Sequence, residues 1–260
     1  MKLTEPKVFL VGETRIIEEG LRAYLDYCGA PDWSTDAASD AERLCEVFGR
    51  VCYRSFEPGL NHNVTRVRQG NVRYLANILA SGHGSVIEHP VLNLIFADVS
   101  RVFTHELVRH RVGTAISQES LRYVRLDVLS AWMPTLISEN EKAMDIFVKT
   151  LEQLEEIQHT LAEIYQIAQQ EGFERKKQLT SAFRRVAPIG VATTIGWSCN
   201  FRALRHVIEQ RTDPQAEEEM RLVFAKVYGL VKDRYPNLFS DYEVEVVEGI
   251  PWVKTTHPKV

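Results

Sequence analysis

The sequence predicts an α+β fold. Short runs that are β-branched or alternate in polarity lie at residues 7–11, 91–99, 190–198 and 242–247, as strands require. Longer stretches with helical periodicity separate them. The two kinds follow one another without the strand–helix–strand rhythm of a doubly wound sheet. No repeat or low-complexity linker breaks the 260 residues, so a single domain spanning 1–260 is expected.

Taken in order, residues 7–11 form an apolar run that stops at Gly12. Residues 14–27 have helical periodicity, residues 33–36 make a turn, and residues 40–53 read as a helix rich in Leu, Val and Cys. Residues 57–69 carry Pro58, Gly59, two Asn and a His, and are expected to form a mobile loop. A helix over 71–80 stops at Ser81-Gly82. After the strand at 91–99, Ser100 fits as the N-cap of a helix running to Arg109. Residues 128–134 are irregular. Residues 140–170 read as one long helix or a kinked pair, with charges on one side and Ile, Leu and Val on the other. A helix over 176–186 ends at Pro188, and small and β-branched residues make 190–198 a strand. Helices over 201–210 and 216–232 and a last strand at 242–247 complete the chain.

Composition narrows the function. The net charge of −4 argues against a general nucleic-acid binder, so anion binding must come from local clusters. No apolar run is long enough to span a bilayer, and Met1 to Pro6 lack a signal-peptide core, so a cytoplasmic protein is expected. Cys28, Cys45, Cys52 and Cys199 show no C-x-x-C spacing and read as reduced structural thiols.

Four segments carry the candidate chemistry. Arg109-His110-Arg111 is followed by a run rich in Ser, Thr, Gln and Glu, and then by Arg122-Tyr123. Arginine forks suit phosphates, while Ser and Gln read neutral oxygens and N–H groups. In Gly82-His83-Gly84-Ser85-Val86-Ile87-Glu88-His89 the glycines let backbone approach a ligand; the plain alternative is a capping box of Ser85 and Glu88. His83 and His89 lack a metal-ligand spacing, so no metal is expected. In the helix after Ser100, Glu106 and Arg109 share one face and Arg101 and His105 another; surface ion pairs are the ordinary outcome. The apolar neighbours Val102, Phe103, Leu107 and Val108 bury this helix, however, and a buried Arg needs an anionic partner. The fourth cluster joins Arg184-Arg185 to Asn200, Arg202, His206 and Arg211, where Arg202 and His206 lie one helical turn apart. Any one of these arginines has an ordinary structural role open to it; together they suggest one polyanionic site built from distant segments.

The combination resembles the flavin-dependent thymidylate synthases, the ThyX family. Arg109-His110-Arg111 with Ser120-Leu121-Arg122-Tyr123 matches the ends of the family signature. Gly82-His83-x-Ser85-x-x-Glu88-His89, Thr104-His105-Glu106-Leu107-Val108, Arg184 to Pro188, Asn200-x-Arg202 and Arg211 match further motifs in the right order, across nearly the whole chain. The chain departs from the pattern in three places. Eight residues separate Arg111 from Ser120, one more than usual. Ala187 replaces a Leu, and Gln215 stands where a His is common.

The resemblance implies a central, mostly antiparallel sheet flanked by helices. It also implies transfer of a methylene from 5,10-methylenetetrahydrofolate to C5 of dUMP. FADH2 is the hydride donor, NADPH the reductant, and dTMP and tetrahydrofolate the products. Glu106, Leu107, Val108, Arg109, Gln118, Glu119, Ser120, Leu121, Arg122 and Arg184 would hold dUMP. Arg211 would face the uracil edge as the catalytic group, stabilising negative charge on the ring. Ser85, Arg109, His110, Arg111, Gln118, Asn200, Phe201, Arg202 and His206 would hold FAD. His83 and Tyr53 are candidates for folate or nucleotide contact. The family assembles its sites between subunits of a homotetramer. The longer spacing before Ser120 keeps C5 methylation of UMP or another pyrimidine nucleotide as an alternative; a nucleic-acid-binding protein is a distant one.

Overall fold

The computed structural model describes residues 1–258 and 260. The N-terminal strand β1 (Lys2–Leu3) pairs in parallel with the short β5 (Ser130–Ala131). The main sheet has four strands in the order β2 (Lys7–Glu13), β3 (Val91–Ser100), β6 (Ala192–Asn200) and β4 (Thr114–Gln118). Bonds at opposite ends of each pair show that neighbours run antiparallel. Thr14 lies against Val91 and Lys7 against Asp98. Phe201 N bonds Pro90 O, and Arg101 N bonds Val191 O. Asn200 N bonds Gly113 O, and Glu119 N bonds Thr194 O. The helices are α1 (Glu18–Cys28), α2 (Asp40–Tyr53), α3 (Asn71–Ala80), α4 (Arg101–Leu107), α5 (Thr135–Ser138), α6 (Glu141–Ile164), α7 (Phe173–Phe183), α8 (Phe201–Thr212) and α9 (Glu218–Lys232). A hairpin of β7 (Tyr242–Val247) and β8 (Ile250–Thr255) closes the chain. The expected α+β class with an antiparallel sheet and flanking helices is what the chain adopts. Among the described residues, no helix is long and apolar enough to cross a membrane.

Two strand-to-helix junctions matter most for the site. Strand β3 ends at Ser100, whose hydroxyl accepts from Phe103 N at 3.0 Å and starts α4. Strand β6 ends at Asn200, whose side chain accepts from Ala203 N at 2.8 Å and starts α8. Each cap stops a strand and turns the next residues out of the sheet. Arg101 therefore opens α4, and Arg202 stands in the first turn of α8. Helix α2 begins with the same logic: Ser39 accepts from Glu42 N, and its hydroxyl bonds the Glu42 carboxylate.

The chain divides into two compact units. One comprises Met1–Phe9, Ile95–Arg109 and Ile116–Trp197. Phe96, Phe103 and Trp197 are buried here, and ring contacts join Phe96 to the other two. Leu154 of α6 packs on Leu121, Leu129 and Val191, and Leu161 and Ala162 of α6 pack on Ile167, Leu179 and Phe183. The other unit comprises Leu10–Leu94, His110–Ala115 and Ser198–Val260. Its core sets Leu25, Ala30, Trp33, Val47 and Phe56 together, and α8 and α9 bury Leu204, Val207, Ile208, Val223, Phe224 and Val227.

Several boundaries differ from expectation for identifiable reasons. Helix α1 starts at Glu18 because Thr14 is held at the sheet, its hydroxyl bonding the backbone of Val91. Strand β4 has weak apolar alternation and takes its order from pairing with β6, so sequence pattern alone does not reveal it. Strand β8 contains Pro251, which disguises it; its register to β7 follows from the tight turn at Glu248-Gly249, both at positive φ. Helix α7 ends at Phe183, and Arg184–Val186 continue as a 3-10 turn. Helix α6 ends at Ile164, short of residue 170.

Candidate active site

Two arginine-lined pockets, one in each unit, gather part of the predicted site: Asn200, Arg202 and His206 in one, and Leu121 and Arg184 in the other. In the Leu10–Leu94, His110–Ala115 and Ser198–Val260 unit, a cavity of about 240 Å³ is lined by Glu88, Val112, Asn200, Arg202, Ala203, His206, Pro258 and Val260. Residues 84–88 form a 3-10 turn that brings Glu88 to Arg202, 2.6 Å between charged atoms. Gly84 leaves space for the Arg202 side chain to lie against the backbone. A Cβ at this position would stand 2.7 Å from Arg202 Nε and 2.8 Å from its Cζ. Gly113 is equally constrained: its φ is +70°, and a Cβ would meet the Asn200 amide at 2.5 Å. The exposed guanidinium of Arg202, the exposed imidazole of His206 and the N-terminus of the twelve-residue α8 make a donor set for a phosphorylated cofactor. Ser85, also exposed, belongs to the same 3-10 turn, while Phe201 is fully buried and supports α8 from beneath.

His110 and Arg211 meet in this unit. Arg211 Nε donates to His110 Nε2 at 2.7 Å. Burial, then the charges of Arg211 and His206, push the His110 pKa down to about 4, so the ring is neutral at physiological pH. Tyr53 and His83 stack with centroids 6.2 Å apart, and His89 stacks on Phe48 at 3.8 Å.

In the other unit, a cavity of about 320 Å³ is lined by Arg101, Leu121, Arg184, Arg185, Ala187, Pro188 and Ile189. Arg101 has a buried Nη1 with no hydrogen-bond partner. Burial and the nearby Arg184 make its proton easier to lose than an ordinary arginine's. A buried guanidinium nitrogen without a hydrogen-bond partner, beside a second guanidinium, has the chemistry to accept an anion. The sequence places Arg101 on a helix face without a role, and puts Arg185 in the fourth cluster without assigning it a ligand. The signal that finds Arg101 is its place directly after the Ser100 cap, among the apolar Val102 and Phe103. Gln118 Nε2 donates to Thr104 Oγ1 at 3.1 Å, which fixes the end of β4 against α4. Ser120 opens a turn that accepts from Tyr123 N and Val124 N, and Arg122 lies exposed against the Tyr123 ring. Glu119 bonds β6 through its backbone N–H; Glu106 and Val108 are half-buried, and Leu107 is wholly in the core.

Arg109 and Arg111 are exposed, and with Arg184 and Arg185 they form no ion pair among the described residues. No cysteine lines either cavity. Cys45 and Cys199 are buried, and burial raises their thiol pKa well above the usual range.

Residues 35–237 match the model of a family described as thymidylate synthase complementing protein. The flavin-dependent thymidylate synthase of Corynebacterium diphtheriae is 31% identical over 223 residues, covering 83% of this chain and 85% of that protein. The structure of Helicobacter pylori ThyX with FAD and dUMP superposes with a TM-score of 0.57 at 18% identity, covering 91% of this chain and 98% of that one. The UMP/dUMP methylase PolB of Streptomyces cacaoi, bound to 5-bromo-dUMP, gives a TM-score of 0.64 at 16% identity over 92% of this chain and 95% of its own. At those identities the two structures speak for the fold alone. The family match over most of the length, with a curated relative above three-tenths identity, places this chain in the flavin-dependent thymidylate synthase family.

Proposed function

We propose that the protein makes dTMP from dUMP, taking the methylene from 5,10-methylenetetrahydrofolate with FAD as its flavin and NADPH as reductant. The observation that carries this reading is the pairing of two unlike cationic pockets with membership of the family. One pocket is built around Arg202 and the α8 N-terminus. The other is a guanidinium cluster with an unsatisfied buried nitrogen. We assign the first to FAD and the second to the nucleotide's phosphate.

The residues fit the flavin by their donor chemistry. Asn200, Arg202 and His206 would hold it, with Ser85, His110 and Arg111 beside them, and Gly84 leaves Arg202 room to lie against the backbone. Reduced FAD supplies a hydride when bound. The chain's own contribution is positional and electrostatic. Arg101, Arg184 and Arg185 bind the phosphate dianion, with Arg122 as a further cation. Gln118 and Ser120 offer neutral donors for the nucleoside. Arg211 stabilises negative charge on the uracil ring and so directs electron density toward C5. No side chain attacks the pyrimidine; a nucleophilic thiolate would need a cationic setting, which the buried Cys45 and Cys199 lack.

dUMP is the preferred substrate in this reading, and the extra residue between Arg111 and Ser120 keeps UMP as the alternative. Strand β4 is regular from Thr114, and the Val112-Gly113 turn before it has Gly113 left-handed. Val112 of that turn lines the cavity at Asn200, and the nucleotide candidates Glu106 to Arg109 and Gln118 to Arg122 lie on either side of it in sequence. A homotetramer with shared sites, a cytoplasmic location, one synthase domain over the full chain and no nucleic-acid partner complete the proposal. Tritium release from 5-tritiated dUMP, run beside labelled UMP, tests it. Flavin-dependent release from dUMP with the higher kcat/KM is expected; equal or faster release from UMP would reverse the substrate assignment.

A further inference from the structure

The bond between Arg211 and His110 does more than fill a site. Arg211 Nε donates to His110 Nε2 at 2.7 Å, so that nitrogen carries no proton and the ring is the Nδ1–H tautomer. His110 is itself anchored: the Thr114 hydroxyl donates to its carbonyl at 2.7 Å. The charged and titratable groups acting on the ring among the described residues are Arg211 and His206, both on α8. We propose that His110 is the positioning residue of Arg211, its neutral imidazole fixing the plane of the guanidinium that meets the uracil. The inference rests on the reading of Arg211 as the group facing that ring.

The physical argument is about freedom and charge. An arginine side chain has about 2 kcal/mol of rotamer entropy, and a bond at Nε removes the torsion that sets the plane of the fork. An imidazole acceptor does this without cancelling the positive charge, as a carboxylate in its place would. Burial and the two cationic or titratable neighbours keep the ring unprotonated, so the acceptor persists across the working pH range. Protonation would turn the acceptor into a donor and set two cations against each other.

The test uses the flavin-loaded enzyme and four chains: His110→Phe, His110→Gln, Arg211→Lys and the double variant His110→Phe with Arg211→Lys. Flavin per subunit is read from absorbance, and kcat and KM from tritium release. His110→Phe is expected to lower kcat by about tenfold or more with a smaller change in KM. His110→Gln, which keeps an acceptor oxygen, should recover most of that loss. In the Arg211→Lys background His110→Phe should cost less than about twofold more, because the two side chains act as one unit. Losses that multiply instead, or that follow flavin content alone, overturn the proposal. Turnover like the parent enzyme's in Arg211→Lys alone would instead remove the Arg211 reading. Nitrogen NMR on histidine-labelled protein gives a second readout independent of folding in the Phe variant. His110 should be the neutral Nδ1–H form at about pH 6 and shift upward in pKa in Arg211→Lys. A ring already protonated at that pH overturns the assignment.

Discussion

Arg205 and Arg101 are chemically the same side chain in opposite circumstances. Arg205 is fully buried in the unit that contains α8, and every guanidinium nitrogen has a partner. Asp241 takes two bonds at 2.7 and 2.8 Å, Leu238 O, Val260 O and Thr255 Oγ1 take the others, and the Tyr242 ring lies 4.7 Å away. Arg50 repeats the pattern with Glu46 and the carbonyls of Ser55 and Arg68. Arg101, in the other unit, has a buried Nη1 with no partner and a second arginine nearby. The first kind is satisfied within the fold, and the second keeps a buried N–H without a partner. Burial and arginine count cannot separate the two; whether the guanidinium has a carboxylate or carbonyl partner does, since Arg43 and Arg221 also leave Nε unbonded yet pair with Glu18 and Glu248.

The comparison breaks most visibly at Arg205. Arg205→Met leaves Asp241 buried without its cation, and a loss of about 3–5 kcal/mol in urea unfolding is expected. A smaller change than about 1 kcal/mol would mean the bonded cluster is not structural. Arg101→Met should behave in the opposite way. Removing a desolvated, unpaired charge leaves stability unchanged or raised, while nucleotide binding loses about 1.5–3 kcal/mol, read as a rise in the dissociation constant for dUMP. Equal losses of stability and binding would erase the distinction.

A smaller effect is expected at Gly84. The new methyl of Gly84→Ala displaces the Arg202 guanidinium, which is mobile enough to move at modest cost. Flavin affinity should fall by about 1 kcal/mol with no change in dUMP binding. Unchanged flavin titrations would take Arg202 out of that pocket's chemistry. The smallest effect concerns acid. Burial opposes ionisation of Asp241, yet hydrogen bonds and charge from Arg205 hold its carboxyl below the ordinary 3.8. Its stabilisation is therefore complete above the ordinary value and fades as pH falls through the lowered one. Urea midpoints should drop in that window, and Asp241→Asn should flatten the drop.

The sequence made most of the frame legible. Residues 40–53, 71–80 and 242–247 become helix, helix and strand with the boundaries expected, because cap residues and periodicity are local properties. Strand β4 stayed hidden because its order comes from β6, a partner more than seventy residues away in sequence. The site was legible where types and spacing suffice, as with Arg202 and His206 one turn apart on α8 and now lining one cavity. It was not legible at Arg101, whose significance lies in a bond it does not make. Nor was it legible at His110, where the decisive fact is which nitrogen accepts from Arg211.

The burial of Cys45 and Cys199 has a pharmacological consequence. Inhibitors that work by capturing an activated sulfur in an active site find no such target here, since neither cavity presents one. Cys52 is exposed on α2 and would be alkylated first, and it lines neither cavity. A thiol-directed warhead would therefore have no cysteine to reach in either cavity.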